Sequence, residues 1–330
     1  MAGRCLNDSV RRAPLSIAPM MDRTDRHFRY FMRKITRRTL LYTEMVTTQA
    51  ILQGDRQKLL GFNVQEKPLV LQLGGDNPQK LAQCARIGEL WGYDEINLNV
   101  GCPSPRVQGG NFGACLMTQP GRVADAIAAM KAVVNIPVTV KHRIGVDEQD
   151  DYSDLRSFVE QLAAAGCNDF TVHARKAWLQ GLSPKENRTV PPLRYADVYQ
   201  LKRERSDLFI EINGGIVTLA DALEHRDYVD AVMIGRAAYD NPYLFAIADR
   251  DFFDEEEAIS TRREVALSMV PYLENWSFQQ PLRLYPVIRP MLQLFAGQPG
   301  SKAWKRFLSE KIRDYRDGAK LVLDALAQVP

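Results

Sequence analysis

VTVKHRIG, residues 138–145, and DFTVHAR, residues 169–175, carry the pattern from which the architecture follows. Successive side chains of an extended chain point to opposite sides, so Thr139, Lys141 and Arg143 share one face of the first run and Val138 and Val140 the other. In the second, His173 and Arg175 lie opposite Phe170 and Val172. Each run is apolar on one side and reactive on the other. Six more β-rich runs flank them: LSIAPM (15–20), LLYTEMV (40–46), LVLQLGG (69–75), EINLNVG (95–101), FIEINGG (209–215) and AVMIGR (231–236). Most are separated by segments with helical apolar spacing, such as 78–91, 122–134 and 155–165, and Thr218 with Asp221 is placed to box the start of another. Strand then helix, eight times over, predicts an α/β fold of the (β/α)8 or TIM-barrel type. A doubly wound open sheet is the rival, and the strand count disfavours it.

In such a barrel the apolar face meets the surrounding helices and the other face points inward. The same alternation sets Gln72 opposite Leu71 and Leu73, Asn99 opposite Leu98 and Val100, and Asn213 opposite Ile212. These groups, with Lys141, Arg143 and His173, are expected to converge at the carboxyl-terminal mouth. Barrel interiors tolerate isolated polar side chains that merely satisfy one another. Convergence from several strands points to a site instead.

The chain has 330 residues, 45% hydrophobic and 25% charged, enough for one large unit and a smaller appendage. A barrel is expected over residues 1–250 and a smaller all-helical unit over 251–330. Between them, acidic DFFDEEE (251–257) reads as a linker or solvated cap, and Thr261 with Glu264 can box the next helix. The net charge of +3 identifies no partner by itself. Cys5, Cys84, Cys102, Cys115 and Cys167 are odd in number and widely spaced, which argues for a reducing compartment and against a metal site. Cys84 and Cys167 read as buried apolar residues. The opening MAGRCLNDSVRRAP has no apolar core of a signal peptide and no long apolar run follows, so a cytoplasmic protein without membrane contact is expected.

Asn213-Gly214-Gly215 and Gly235-Arg236 end the last two strands, where barrels commonly bind phosphate. With Gln72 and an inward Lys141, they suggest a phosphorylated ring cofactor, for which flavin mononucleotide (FMN) fits best: a lysine would stabilise the negative charge of the reduced ring. A Schiff-base role for Lys141 is the alternative, and it leaves Cys102 and Gln72 without work. An unperturbed thiol, with a pKa near about 8.5, is suited to giving a proton, so Cys102 reads as an acid.

APMMDRTDRHFRYF, LLYTEMV, LQLGG, NLNVGCPS, VTVKHRIG, VHARKAWL, LSPKENR, INGGI and GR follow one another in the order and spacing of the tRNA-dihydrouridine synthases. The chain resembles that family from about Ala18 to Ala327. HARKAWLQGLSPKENR (173–188) resembles an insertion of its A subfamily. His142 stands where close relatives often carry threonine. The resemblance implies an FMN-binding barrel, a helical domain that grips tRNA, and reduction of D-loop uridines, at positions 20 and 20a, with NADPH. It implies Cys102 as proton donor and Pro19, Met20, Met21, Gln72, Lys141, His173, Asn213, Gly214, Gly215, Gly235 and Arg236 as flavin contacts. Asn99 is positioned for the uracil edge, Arg143 for the substrate, and Lys185 and Arg188 for guiding the D loop. No metal, protein partner or oligomer is implied, so a monomer is expected.

From Arg283 to Lys320 there are nine basic residues against three acidic ones, with Trp304 and Tyr315 among them as surfaces that track phosphates and bases often have. Lys302 and Lys305 are expected on one helix face as a phosphate-binding strip. A small-molecule FMN reductase would have no use for such a tail. An RNA-binding protein without catalysis would not need Cys102 and Lys141.

Overall fold

The computed structural model describes residues 13–256 and 258–330. The barrel has eight strand positions, occupied by β1 (Leu15–Ile17), β2 (Leu40–Tyr42) with β3 (Val46–Thr47), β4 (Leu69–Gly74), β5 (Glu95–Val100), β6 (Val138–Arg143), β7 (Asp169–His173), β8 (Phe209–Asn213) and β9 (Ala231–Ile234). All pairings are parallel, and β1 bonds to both β2 and β9 while β2 bonds to β4, which closes the sheet. LLYTEMV is therefore not one strand. Thr43 turns its hydroxyl to the Gln72 amide and Met45 leaves the ladder to face the mouth, before β3 rejoins the end of β4.

Alternation holds along the strands. Leu71, Leu73, Ile96, Leu98, Val138, Val140, Phe170, Val172, Ile210 and Ile212 are buried in one continuous apolar core with the surrounding helices. His142 faces the same way, between Phe158 and Phe170. The interior is unusually polar, with Ser16, Gln72, Glu95, Asn97, Asn99, Thr139, Thr171, Glu211 and Asn213 all buried. Local signals set the helix ends: Asn77 caps Pro78–Trp91, Pro78 opens it, and Gly92 at φ +92° ends it. The capping boxes at Thr218 and Thr261 both form.

The acidic stretch is not a free linker. Asp249, in helix Ala248–Phe253, accepts from the Thr36 hydroxyl and from the backbone of Arg37 and Arg38, and Glu255 pairs with both arginines. Phe253 packs with Leu40, Tyr42 and Met233, so the segment covers the amino-terminal floor of the barrel. Helices Arg262–Ser268, Val270–Gln279, Ser301–Lys311 and Gly318–Leu326 follow. They seat on helix Arg26–Met32: Tyr272 stacks on Tyr30 with ring centres 4.0 Å apart and its hydroxyl lies 2.8 Å from His27 Nδ1, while Arg289 pairs with Asp25. Trp304 is no RNA surface. It is fully buried, its indole donating to the Met291 carbonyl, because the helix turns its Trp304 and Leu308 face inward. Cys84 and Cys167 are buried as expected, and Cys5 lies outside the described residues. Among the described residues no helix is long and apolar enough to cross a membrane.

Candidate active site

The carboxyl ends of the strands open into a cavity of about 290 Å3. Pro19, Met20 and Met21 enter after β1, Gln72 from β4, Asn99 from β5 with Cys102 just beyond, Lys141 and Arg143 from β6, His173 from β7, Asn213 to Gly215 at the end of β8, and Gly235 and Arg236 after β9. All residues assigned from sequence to catalysis or to the flavin thus border one space. Of those assigned to the substrate, Asn99, Arg143 and Arg188 line it, whereas Lys185, Lys302 and Lys305 do not. Arg23 and Met45 also line it and were missed; both follow strand ends, the one signal that marked them. A larger groove of about 710 Å3 at the amino-terminal ends of the strands holds none of these groups.

The Lys141 ammonium donates to Asn213 Oδ1 at 3.0 Å, and Asn213 donates to the Met233 carbonyl at 2.8 Å. Burial pushes the Lys141 pKa down to about 8, and Arg143 adds to the shift. Burial also holds His173 well below the ordinary histidine range, with Arg143 and Lys141 beside it, so its imidazole is neutral at pH 7. Arg143 is not free to reach a substrate phosphate. Its side chain is buried and donates to the carbonyls of Gly101, Lys176 and Asn187, bracing the loops after β5 and β7.

Cys102 is held mainly by its backbone. Its N–H and that of Gly101 donate to Asn99 Oδ1 at 3.0 and 3.2 Å, and its carbonyl accepts from Ala114 N at 2.9 Å. The thiol, half-buried, lies 3.6 Å from Ser104 Oγ. Asn99 does not simply reach outward: its Nδ2 donates to Gln72 Oε1 at 2.9 Å, and Gln72 in turn donates to Asn97.

Five cations, Arg23, Lys141, Arg143, Arg188 and Arg236, line the cavity, and no carboxylate is among its described lining residues. Burial, with Arg236 and Arg23 nearby, holds the Arg188 guanidinium below its ordinary pKa. Like charges gathered in this way are relieved by an anion. Beside them Gly214 and Gly215 take φ values of +116° and +75°, and the Gly214 carbonyl accepts from the Tyr195 hydroxyl at 2.7 Å. A Cβ on Gly214 would stand 2.6 Å from His173 Cδ2. The donor set therefore fits a ring cofactor carrying a phosphate.

Residues 16–328 match the family model described as dihydrouridine synthase (Dus). A protein of Synechocystis sp. named tRNA-dihydrouridine(20/20a) synthase is 62% identical over 313 residues, covering 95% of this chain and 93% of that one. The chain belongs to the dihydrouridine synthase family. Proteins with the same name from Vibrio vulnificus (53% identity, 96% of this chain and 97% of that one) and Shewanella oneidensis (54% identity, 94% and 92%) are similarly close. A solved structure of a 2-naphthoyl-CoA reductase with 2-naphthoyl-CoA superposes with a TM-score of 0.57 at 10% identity, over 72% of this chain and 50% of that one, and shares the fold alone. Dihydrouridine synthases are flavin-dependent oxidoreductases that reduce uridines in tRNA.

Proposed function

We propose that this protein reduces the C5=C6 bond of tRNA uridines 20 and 20a to dihydrouridine, with NADPH as reductant and FMN held by Pro19, Met20, Met21, Gln72, Lys141, His173, Asn213, Gly214, Gly215, Gly235 and Arg236. FMN, when bound, supplies the hydride that reaches carbon 6. Conjugation to the C4 carbonyl then leaves negative charge toward carbon 5, which needs a proton. Cys102 supplies it, on a loop that Asn99 and Arg143 hold at the mouth. The charge left on sulfur faces Lys141, Arg143 and Arg188, each of which is coupled to it. Neutral His173 donates or accepts a hydrogen bond without adding charge. A base must leave its stack to enter so small a cavity, and Arg23 and Arg188 offer its phosphates a cationic rim. Lys185 lies exposed on the loop that carries Arg188, where it would meet the D loop. The barrel over residues 1–250 does the chemistry and the helices of 251–330 grip tRNA, in a cytoplasmic monomer.

The observation that carries this is the meeting of Cys102, Lys141, His173 and the Gly214–Gly215 turn in one cavity whose described lining residues include no carboxylate. Two measurements test it. The purified protein should be yellow and release FMN on denaturation, and tRNA from cells lacking the gene should lose dihydrouridine at positions 20 and 20a in mass mapping. A colourless protein that binds no added FMN, or an unchanged tRNA, would refute it.

A further inference from the structure

We propose that Glu95, Asn97 and Thr139 are positioning residues for Cys102, acting through Gln72 and Asn99 along a one-way chain of hydrogen bonds from the barrel floor to the mouth. It rests on Cys102 as the proton donor to carbon 5.

The direction of every bond as far as Thr139 is forced from one end. The backbone N–H groups of Gly101 and Cys102 can only donate, so the atom facing them must be Asn99 Oδ1, at 3.2 and 3.0 Å. Asn99 Nδ2 then faces Gln72 and must meet Oε1, at 2.9 Å. Gln72 Nε2 is left to donate to Asn97 Oδ1, at 2.8 Å. Asn97 Nδ2 donates to Thr139 Oγ1, at 2.8 Å, and the Thr139 hydroxyl passes its own hydrogen to Glu95 Oε1, at 2.5 Å. Three adjacent strands carry the chain, because Gln72 stands beside Asn97 and Asn97 beside Thr139 in the β4–β5–β6 register.

No member can reverse alone. A flipped carboxamide would set N–H against N–H on one side and oxygen against oxygen on the other. Each of the five side chains is at most 9% exposed, so a mismatch would leave buried polar groups without protein partners. The chain needs an acceptor at its far end, which Thr139 Oγ1 provides, and Glu95 fixes the direction of that hydroxyl. Burial raises the Glu95 pKa to about 8, so at pH 7 it keeps its proton, yet Oε1 accepts from Thr139 in either state.

Ala114 and Arg143 hold the carbonyl side of the Gly101–Cys102 segment, and Asn99 Oδ1 holds its amide side. Losing the acceptor at the floor leaves the Asn97 amide without a partner and loosens Gln72 and Asn99 in turn, so that Asn99 Oδ1 holds the Gly101 and Cys102 amides less firmly and the thiol moves. The effect should fall on proton delivery, not on anchorage of the cofactor phosphate, which is on the opposite side of the barrel at β8 and β9.

The test compares Thr139→Val, which removes the hydroxyl at nearly constant volume, with Thr139→Ser, which keeps it, in the FMN-loaded enzyme. Cys102→Ala runs in parallel. Single turnover of the prereduced enzyme with a tRNA transcript should slow about tenfold or more in Thr139→Val, with a larger solvent deuterium isotope effect. Flavin reduction by NADPH and the apparent Kd for tRNA should stay within about twofold, and Thr139→Ser should behave as the parent. A parental single-turnover rate in Thr139→Val, a loss that serine does not restore, or equal loss in both half-reactions overturns the proposal. If Cys102→Ala itself keeps uridine reduction, the role of Cys102 fails first; if it loses reduction while Thr139→Val keeps it, only the chain fails. Should Thr139→Val not fold, Glu95→Leu and Glu95→Gln pose the same question one bond further on, since only leucine removes the partner that fixes the Thr139 hydroxyl. Loss in Glu95→Leu with retention in Glu95→Gln supports the chain, and equal rates overturn it.

Discussion

At Gly214 a single hydrogen atom decides whether the turn keeps its shape. The residue sits at φ +116°, which side-chain-bearing residues rarely adopt, and an added Cβ would press on His173 Cδ2 at 2.6 Å and Leu193 Cδ2 at 3.2 Å. Gly214→Ala should therefore fold but lose most of its flavin, read as the ratio of absorbance near the flavin maximum to that of protein. Full flavin content would show that the turn tolerates the shift. Cys102 is a different kind of position, because its backbone bonds to Asn99 and Ala114 hold it, while its thiol has only a long contact with Ser104 Oγ. Cys102→Ala should keep flavin content and NADPH oxidation while losing uridine reduction by about 100-fold, within the range usual for a general acid. Stopped-flow measurement of the two half-reactions separates them, and equal losses would assign Cys102 to the flavin.

Among the elements, β5 shows how one strand serves both packing and chemistry. Ile96, Leu98 and Val100 meet the helices, while Glu95, Asn97 and Asn99 form an inward polar ladder. Glu95 lies at the floor, raised to about 8 mainly by burial, with Glu211 raised as well. A carboxyl whose folded pKa exceeds its unfolded one stabilises the fold fully below the unfolded value, about 4.5, and loses that contribution as pH climbs through the folded value. For Glu95 the loss is about 1.4 kcal/mol per pH unit between those limits. Glu95→Gln does not titrate, so stability between pH 5 and pH 8 should fall less steeply than in the parent, by about one proton in the linkage slope; equal slopes from urea midpoints would mean that Glu95 is ionised in the fold. The alternation in EINLN is visible in the sequence, as is the convergence of Gln72, Lys141, His173 and Asn213. What Gln72 and Asn99 hold is not visible, because it depends on the register of β4, β5 and β6, which barrel closure sets and no local pattern contains. Arg143 is misread for the same reason: three carbonyls from distant loops claim it. Trp304 is misread because basic neighbours suggest a surface, whereas its helix face points to the core.

Over the whole molecule, the placing of charge matters more than the net +3. The mouth carries Arg23, Arg188 and Arg236, and Arg23 lies 4.7 Å over the Tyr239 ring beside the junction where Arg289 pairs with Asp25. The carboxyl-terminal helices join the barrel at that junction, through Arg289 on Asp25 and Tyr272 on Tyr30. On helix Ser301–Lys311 the inward face is Trp304 and Leu308; Lys302 and Arg306 are exposed and Lys305 half-buried. Each phosphate contact releases counterions, so losing one lowers the log-log salt slope of binding by roughly one unit. Lys302→Ala with Lys305→Ala should raise the KM for tRNA and flatten that slope by roughly one to two units, leaving flavin content and NADPH oxidation as they were. Lys302 should account for most of it, being the more exposed, and Trp304→Ala should differ in kind, costing about 3–5 kcal/mol of stability through the core. If filter binding across a salt series shows parental affinity and slope for the double variant, this helix face is only a solvated surface, and tRNA must be held by the cationic rim of the barrel.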